Sequence, residues 1–248
     1  MASLSQTAVA RPAHVFTRRN GLVDKYFYFA MSLLIAGLVV WGFHATVNPN
    51  LLHASPPRPL LLWFHGAAFS SWVLFYIFQS ALVRTHNVKV HRFLGWFGAG
   101  LATIMVILGF VIAVVMARFD WYTLHEPGTD VFLSVPWGDM FEFGPLVALA
   151  ILWRKKPELH RRLIFIATCC LLDAAFGRND YLYDHSLMFV GVDLVILLGV
   201  ARDLLVNGSV HKVYRVALPI LIVWQALLIY LWRGAPAWWH TLSSRIVA

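Results

Sequence analysis

The sequence predicts an all-α integral membrane protein with seven transmembrane helices, a first helix followed by three repeated helical hairpins. Three observations predict it. The 248 residues are 60% hydrophobic and 13% charged, with mean hydropathy +0.69, whereas soluble domains carry about 25% charged residues. The apolar residues gather into spans, most of them near the roughly 20 residues needed to cross a hydrocarbon core of about 30 Å. The basic residues fall in short clusters between those spans. Despite a net charge of +8, no exposed basic face for nucleic acid is implied, and the clusters fit membrane orientation instead.

Taken in order, residues 1–25 read as a polar, basic cytosolic tail without an apolar signal region and cleavage site. Residues 26–232 form one transmembrane domain and 233–248 an external tail. The first span runs from Tyr26 to Val47, and Asn48 to Pro59, with its Asn-Pro and Pro-Pro steps, is an external loop. The second span, from Leu60, carries His65, Trp72 and Gln79. The turn Arg84 to Arg92 leads into a Gly-rich third span, Phe93 to Met116, whose Gly95, Gly98, Ala99 and Gly100 suit close helix packing. Phe119 to Val135 is expected to be the longest external loop. Pro136 then opens the fourth span, where a missing N–H costs nothing, and Pro145 inside that span predicts a kink. The fifth span is Leu163 to Gly177, the sixth Ser186 to Val200 and the seventh Val213 to Trp232.

Lys and Arg concentrate in cytoplasmic loops of membrane proteins. On this topology fifteen of the 20 lie inside, and only Arg58, Arg118, Arg178, Arg233 and Arg245 lie outside. That places the N-terminus in the cytosol and the C-terminus outside. Trp121, Tyr122, Trp137, Trp232, Trp238 and Trp239 fall near the external ends, as an interfacial aromatic belt does.

The inside turns repeat one pattern: a basic exit, a short loop, then an apolar residue, His and a basic residue, at His91, His160 and His211. Capping of helix starts and contact with lipid phosphates account for these histidines. The rival account is an anion or metal site where three helix N-termini converge.

Phe64-His65-Gly66, Phe69, Trp72, Gln79 and Leu82-Val83, followed by His91-Arg92-Phe93-Leu94-Gly95 and then by Pro157 and His160-Arg161-Arg162-Leu163, resemble a family of bacterial multi-pass inner-membrane proteins. The resemblance covers roughly Leu60 to Arg178. It implies the fold and the bacterial inner membrane, and it carries no activity with it.

A layer of ionisable residues inside the spans supplies the candidate site. His65, Glu142, Asp173 and Asp193 each lie about five to seven residues from the external end of their helix, so their depths agree within ~3 Å. Asp139 and Glu142 share one helix face at i,i+3. Arg178, with His44, Asp180, Tyr181, Asp184 and His185, sits nearer the rim. A charge within the bilayer costs at least ~2.5–3.5 kcal/mol, so these groups should face one another in an external-side cavity. One reading is a buried polar network that fixes packing, with Arg178 neutralising a carboxylate. The leading reading is a membrane-embedded enzyme acting on a lipophilic small molecule. Glu142 or Asp173 is then the acid, His65 the base or orienter, and Arg178 the electrostatic partner. The alternatives are a small proton- or ion-coupled transporter or channel, and a structural or b-haem redox subunit.

No metal is assigned, because only His65 is deep and zinc prefers more His or Cys ligands. No cofactor is assigned either: bis-His haem needs two facing histidines, and His44 is the nearest candidate partner for His65. Cys169-Cys170 forms no metal or redox spacing. No G-x-S-x-G or phosphate-binding Gly motif is present. The expected partner is the lipid bilayer.

Overall fold

A computed structural model describes residues 21–248. The N-terminal tail up to residue 20, with Arg11, Arg18 and Arg19, lies outside the described residues. The described residues are 82% helical, with no strand among them. In order come α1 (Gly21–Phe43), a π-helical turn (Asn48–Leu52), α2 (Leu60–Arg84), α3 (Val88–Tyr122), α4 (Thr129–Phe132) and α5 (Ser134–Leu152). They are followed by α6 (Pro157–Cys170), α7 (Asp173–Phe176), α8 (Asp180–Asp184), α9 (Met188–Asn207), α10 (Lys212–Arg233) and α11 (Ala237–Val247).

Five helices are long and apolar enough to cross a membrane: α1, α2, α3, α4 together with α5, and α10. The other two expected spans differ from them for visible reasons. α6 stops after 14 residues at Cys170, turns through Leu171 and Leu172, and restarts as α7. α9 has 20 residues but contains Asp193, Arg202 and Asp203.

The helices pack as a bundle in which α5 lies against α3, α6 and α10, while α1 lies against α2, α7 and α9. Gly42 makes the α1–α7 contact possible, because a Cβ there would collide with the Ala175 backbone. Polarity is distributed inside out. Phe93 is 77% exposed and Val223 71% exposed, whereas Arg162 and Asp203 are 0% exposed. A water-soluble chain places these classes the other way round. An apolar exterior with satisfied helical backbone is the arrangement hydrocarbon demands.

Two ends of the bundle can be told apart. The basic end holds the start of α1, the α2–α3, α5–α6 and α9–α10 turns and most of the Lys and Arg. At the opposite end the expected long loop is mostly helix. α3 continues to Tyr122, and after a short stretch α4 begins at Thr129. Residues that looked like loop because they are charged are in fact partnered: Asp120 accepts from Arg58 at 3.2 Å, and Asp130 accepts from Ser243 at 3.2 Å. The stretch after Arg233 also folds, as α11. It is docked by Trp239 Nε1 donating to the Val131 carbonyl at 3.0 Å and by Arg118 donating to the carbonyls of Ile246 and Val247.

Candidate functional site

Asp139 and Glu142 project from one face of α5, and Asp173 begins α7 where the α6 backbone breaks. The break turns Asp173 inward, with the Ala174 backbone N–H directed at its carboxyl group. Asp139 and Asp173 meet at hydrogen-bonding range, with Glu142 close to both. All three are enclosed, at 7%, 5% and 3% exposure respectively. The Cys170 thiol reaches the Glu142 carboxyl group. Asp193 of α9 is half-buried within electrostatic reach of Glu142 and accepts a hydrogen bond from Gln225 of α10 at 3.3 Å. Each of Asp139, Glu142 and Asp173 keeps one carboxyl oxygen without a hydrogen-bond partner among the described residues. Two carboxyl groups in contact cannot both be ionised, so such a pair holds a proton between its oxygens.

The other expected site residues lie apart from these. His65 stacks on Phe69, ring centroids 4.1 Å apart, and its Nδ1 has no partner among the described residues. Arg178 is exposed and lies over the Phe43 ring at 5.0 Å, near Arg58 and His65. It makes no ion pair with a carboxylate among the described residues; Arg58 takes Asp120 instead. The rim residues serve local structure. His44 Nδ1 bonds to the Trp41 carbonyl at 2.5 Å, and Tyr181 stacks on His185 at 4.3 Å. No group of three His, Cys, Asp or Glu among the described residues is arranged to hold a metal.

The surface hollows lie elsewhere. One of about 260 Å³ is lined by Trp121, His125, Glu126 and Pro127 at the end of α3. Another, of about 150 Å³, is an apolar groove between α3 and α5 at Ala99, Thr103, Gly144 and Ala148. Neither is lined by Asp139, Glu142, Asp173 or Asp193.

A second charged centre sits at the basic end. Arg162 donates from Nε to Asp203 Oδ2 at 2.8 Å and from its terminal nitrogen to Oδ1 at 2.5 Å, a bidentate pair with both side chains fully buried. Arg202 bonds to Asp203 at 2.7 Å and to Asp24. Glu158 bonds to Arg161 and Arg162, at 2.7 Å each. The His211 backbone N–H also donates to Asp203, at 3.3 Å. Burial alone would raise the Asp203 carboxyl group, but its bonds to Arg162 and Arg202 hold it below the ordinary carboxylate range. Glu158 is lowered in the same way, Arg162 and Arg161 outweighing the opposing effect of burial. The centre ties α1, α6, α9 and the start of α10 together. Counting only Lys and Arg for orientation passes over it; the signal was the acidic residues Asp24, Glu158 and Asp203 set among the basic ones.

The three patterned histidines all lie in first helical turns or at a cap. His91 and His160 face each other with ring centroids 6.2 Å apart, and His160 Nδ1 bonds to the Ala150 carbonyl at 2.9 Å. His211 caps α10, its Nδ1 accepting from the Val213 N–H at 3.2 Å. Comparison with protein families, with curated proteins and with solved structures returns no match for the chain.

Proposed function

We propose that this is a seven-span membrane protein of the bacterial inner membrane that passes protons through its buried carboxyl cluster. The single observation that carries this reading is the contact of Asp139, Glu142 and Asp173, enclosed and with one oxygen free on each. Intramembrane carboxyl groups that are unpaired with basic residues are expected at proton relays. A proton needs only a chain of hydrogen-bonding groups, whereas a substrate needs a cavity that reaches the carboxyl groups. α6 with α7, and α9, supply the two further spans, α9 being admissible because its Arg202 and Asp203 lie beyond the core at the basic end. The basic end faces the cytosol, following the charge distribution, and a reporter fused at Lys156 that appears outside would overturn that orientation.

Purified protein in liposomes carrying an internal pH dye, driven by a potassium diffusion potential, should acidify the lumen. Glu142→Gln and Asp173→Asn should abolish the flux with helix content unchanged. Wild-type flux no greater than that of empty liposomes removes the reading. The enzyme reading, with Glu142 or Asp173 as the acid, His65 as the base or orienter and Arg178 as the partner, uses the same cluster. Its one supporting observation is the apolar groove between α3 and α5, shaped to seat a lipophilic chain but not lined by the carboxyl groups, and it is favoured over the relay only if a bound lipid co-purifies with the wild type but not with Gly144→Leu.

A further inference from the structure

The interior between the two charged centres is not uniformly apolar. Tyr76 of α2 is 7% exposed and Tyr214 of α10 is 1% exposed, and neither hydroxyl group has a hydrogen-bond partner with good geometry among the described residues. The Tyr28 hydroxyl of α1 is likewise enclosed and unsatisfied. A buried hydroxyl left unpaired costs about 1–3 kcal/mol, so three in one interior call for an explanation.

Their placement is ordered. The Tyr28 ring lies against the guanidinium groups of Arg161 at 5.3 Å and Arg202 at 5.7 Å, within the basic-end network. Tyr28 and Tyr214 are near neighbours beside Phe165, with no direct hydrogen bond between their hydroxyl groups, and Tyr214 lies in the field of Asp203 and Arg162. Gly199 of α9 makes room for the Tyr214 hydroxyl, since a Cβ there would overlap it. Tyr76 belongs to the same buried cluster as Tyr214, Cys169 and Cys170, with Tyr28 and Cys169 among its near neighbours. Cys170, the next residue of α6, touches Glu142. From Arg162 to Cys170 α6 advances eight residues, about 12 Å of helical rise, and so spans from the basic-end network to the residue beside Glu142.

We propose that Tyr76, Tyr28 and Tyr214 form the inner half of a proton route that links the carboxyl cluster to Asp203 and the basic end. The proposal rests on the proton-relay reading. Each hydroxyl oxygen accepts a proton on a lone pair and releases its own to the next acceptor, with water bridging intervals too long for a direct bond. Every tyrosine is returned neutral, and one proton leaves the route for each that enters. The Tyr→Phe change tests this cleanly, because it removes the hydroxyl and leaves the ring packing in place.

In the liposome assay, Tyr76→Phe and Tyr214→Phe should each lower the flux roughly a hundredfold or more, the scale on which positioned proton-transfer groups act. Tyr230→Phe, at a 55% exposed position on α10, should leave it unchanged. Thermal unfolding of Tyr76→Phe and Tyr214→Phe should match the wild type or exceed it, because an unpaired buried hydroxyl is being removed, and Tyr230→Phe should match it. If Glu142→Gln abolishes flux while Tyr76→Phe, Tyr28→Phe and Tyr214→Phe stay within about twofold of wild type, the tyrosine route is wrong and the carboxyl relay stands. If Glu142→Gln and Asp173→Asn also leave flux intact, both fall.

Discussion

The two charged centres of this bundle are built from similar side chains in opposite ways. At the basic end, Asp203 is gripped by Arg162 and Arg202, and Asp24 and Glu158 are bonded to arginines as well. In the middle, Asp139, Glu142 and Asp173 face one another with no arginine or lysine bonded to any of them among the described residues, and each keeps a free oxygen. A fully paired centre fixes helices relative to one another. A centre of carboxyl groups without a basic partner has lone pairs to spare, and what these can still bind is a proton or another cation.

The largest expected effect breaks the paired centre. Asp203→Ala leaves Arg162 and Arg202 buried against each other, and removing one partner of a buried pair costs about 3–5 kcal/mol. Unfolding in detergent should show it as the largest loss of stability among single changes in either centre. Replacing Arg162 and Asp203 together by Met and Leu should recover much of that loss, since paired removal leaves less charge unbalanced. A loss under about 1 kcal/mol for Asp203→Ala would mean that water reaches this centre and that it does not hold the helices.

The same centre sets an acid limit. Asp203 and Glu158 both lie below their ordinary values of 3.8 and 4.5 when folded. The stabilisation they carry is therefore complete above those unfolded-state values and is lost as pH falls through the lower folded-state ones. Melting temperature should be level between about pH 7 and 5 and should drop below about pH 4, with Asp203→Ala flattening the drop. An unchanged acid limb in Asp203→Ala would assign acid sensitivity to other groups.

Much of this architecture is legible in the sequence. The apolar spans and their order follow from hydropathy, because a helix facing hydrocarbon must be apolar over most of its surface. What pattern alone did not show was where the chain breaks inside a span. Leu163 to Gly177 reads as continuous, yet α6 ends at Cys170 so that Asp173 can turn inward, a choice made by tertiary contacts. Equal depth along the helices brought Glu142, Asp173 and Asp193 to one level. It could not set direction around each helix, and that is why His65 and Arg178 lie by Phe69 and Phe43. Tyr28, Tyr76 and Tyr214 gave no signal, since single tyrosines inside apolar helices resemble ordinary core.

The smallest stability change discriminates best, because one chemical substitution should act with opposite sign in the two centres. Asp203→Asn keeps the side-chain shape but replaces a charged, doubly held acceptor by an amide that cannot satisfy two guanidinium groups, so stability should fall. Glu142→Gln introduces N–H donors among acceptors, and an amide hydrogen can meet the free oxygen on Asp173 or Asp139. A new buried hydrogen bond contributes about 0.5–1.5 kcal/mol, so Glu142→Gln should unfold at the wild-type temperature or a few degrees above it. If instead both changes destabilise, the carboxyl cluster is also a structural centre, its protons serve to hold the helices together, and loss of flux in Glu142→Gln would no longer isolate a relay.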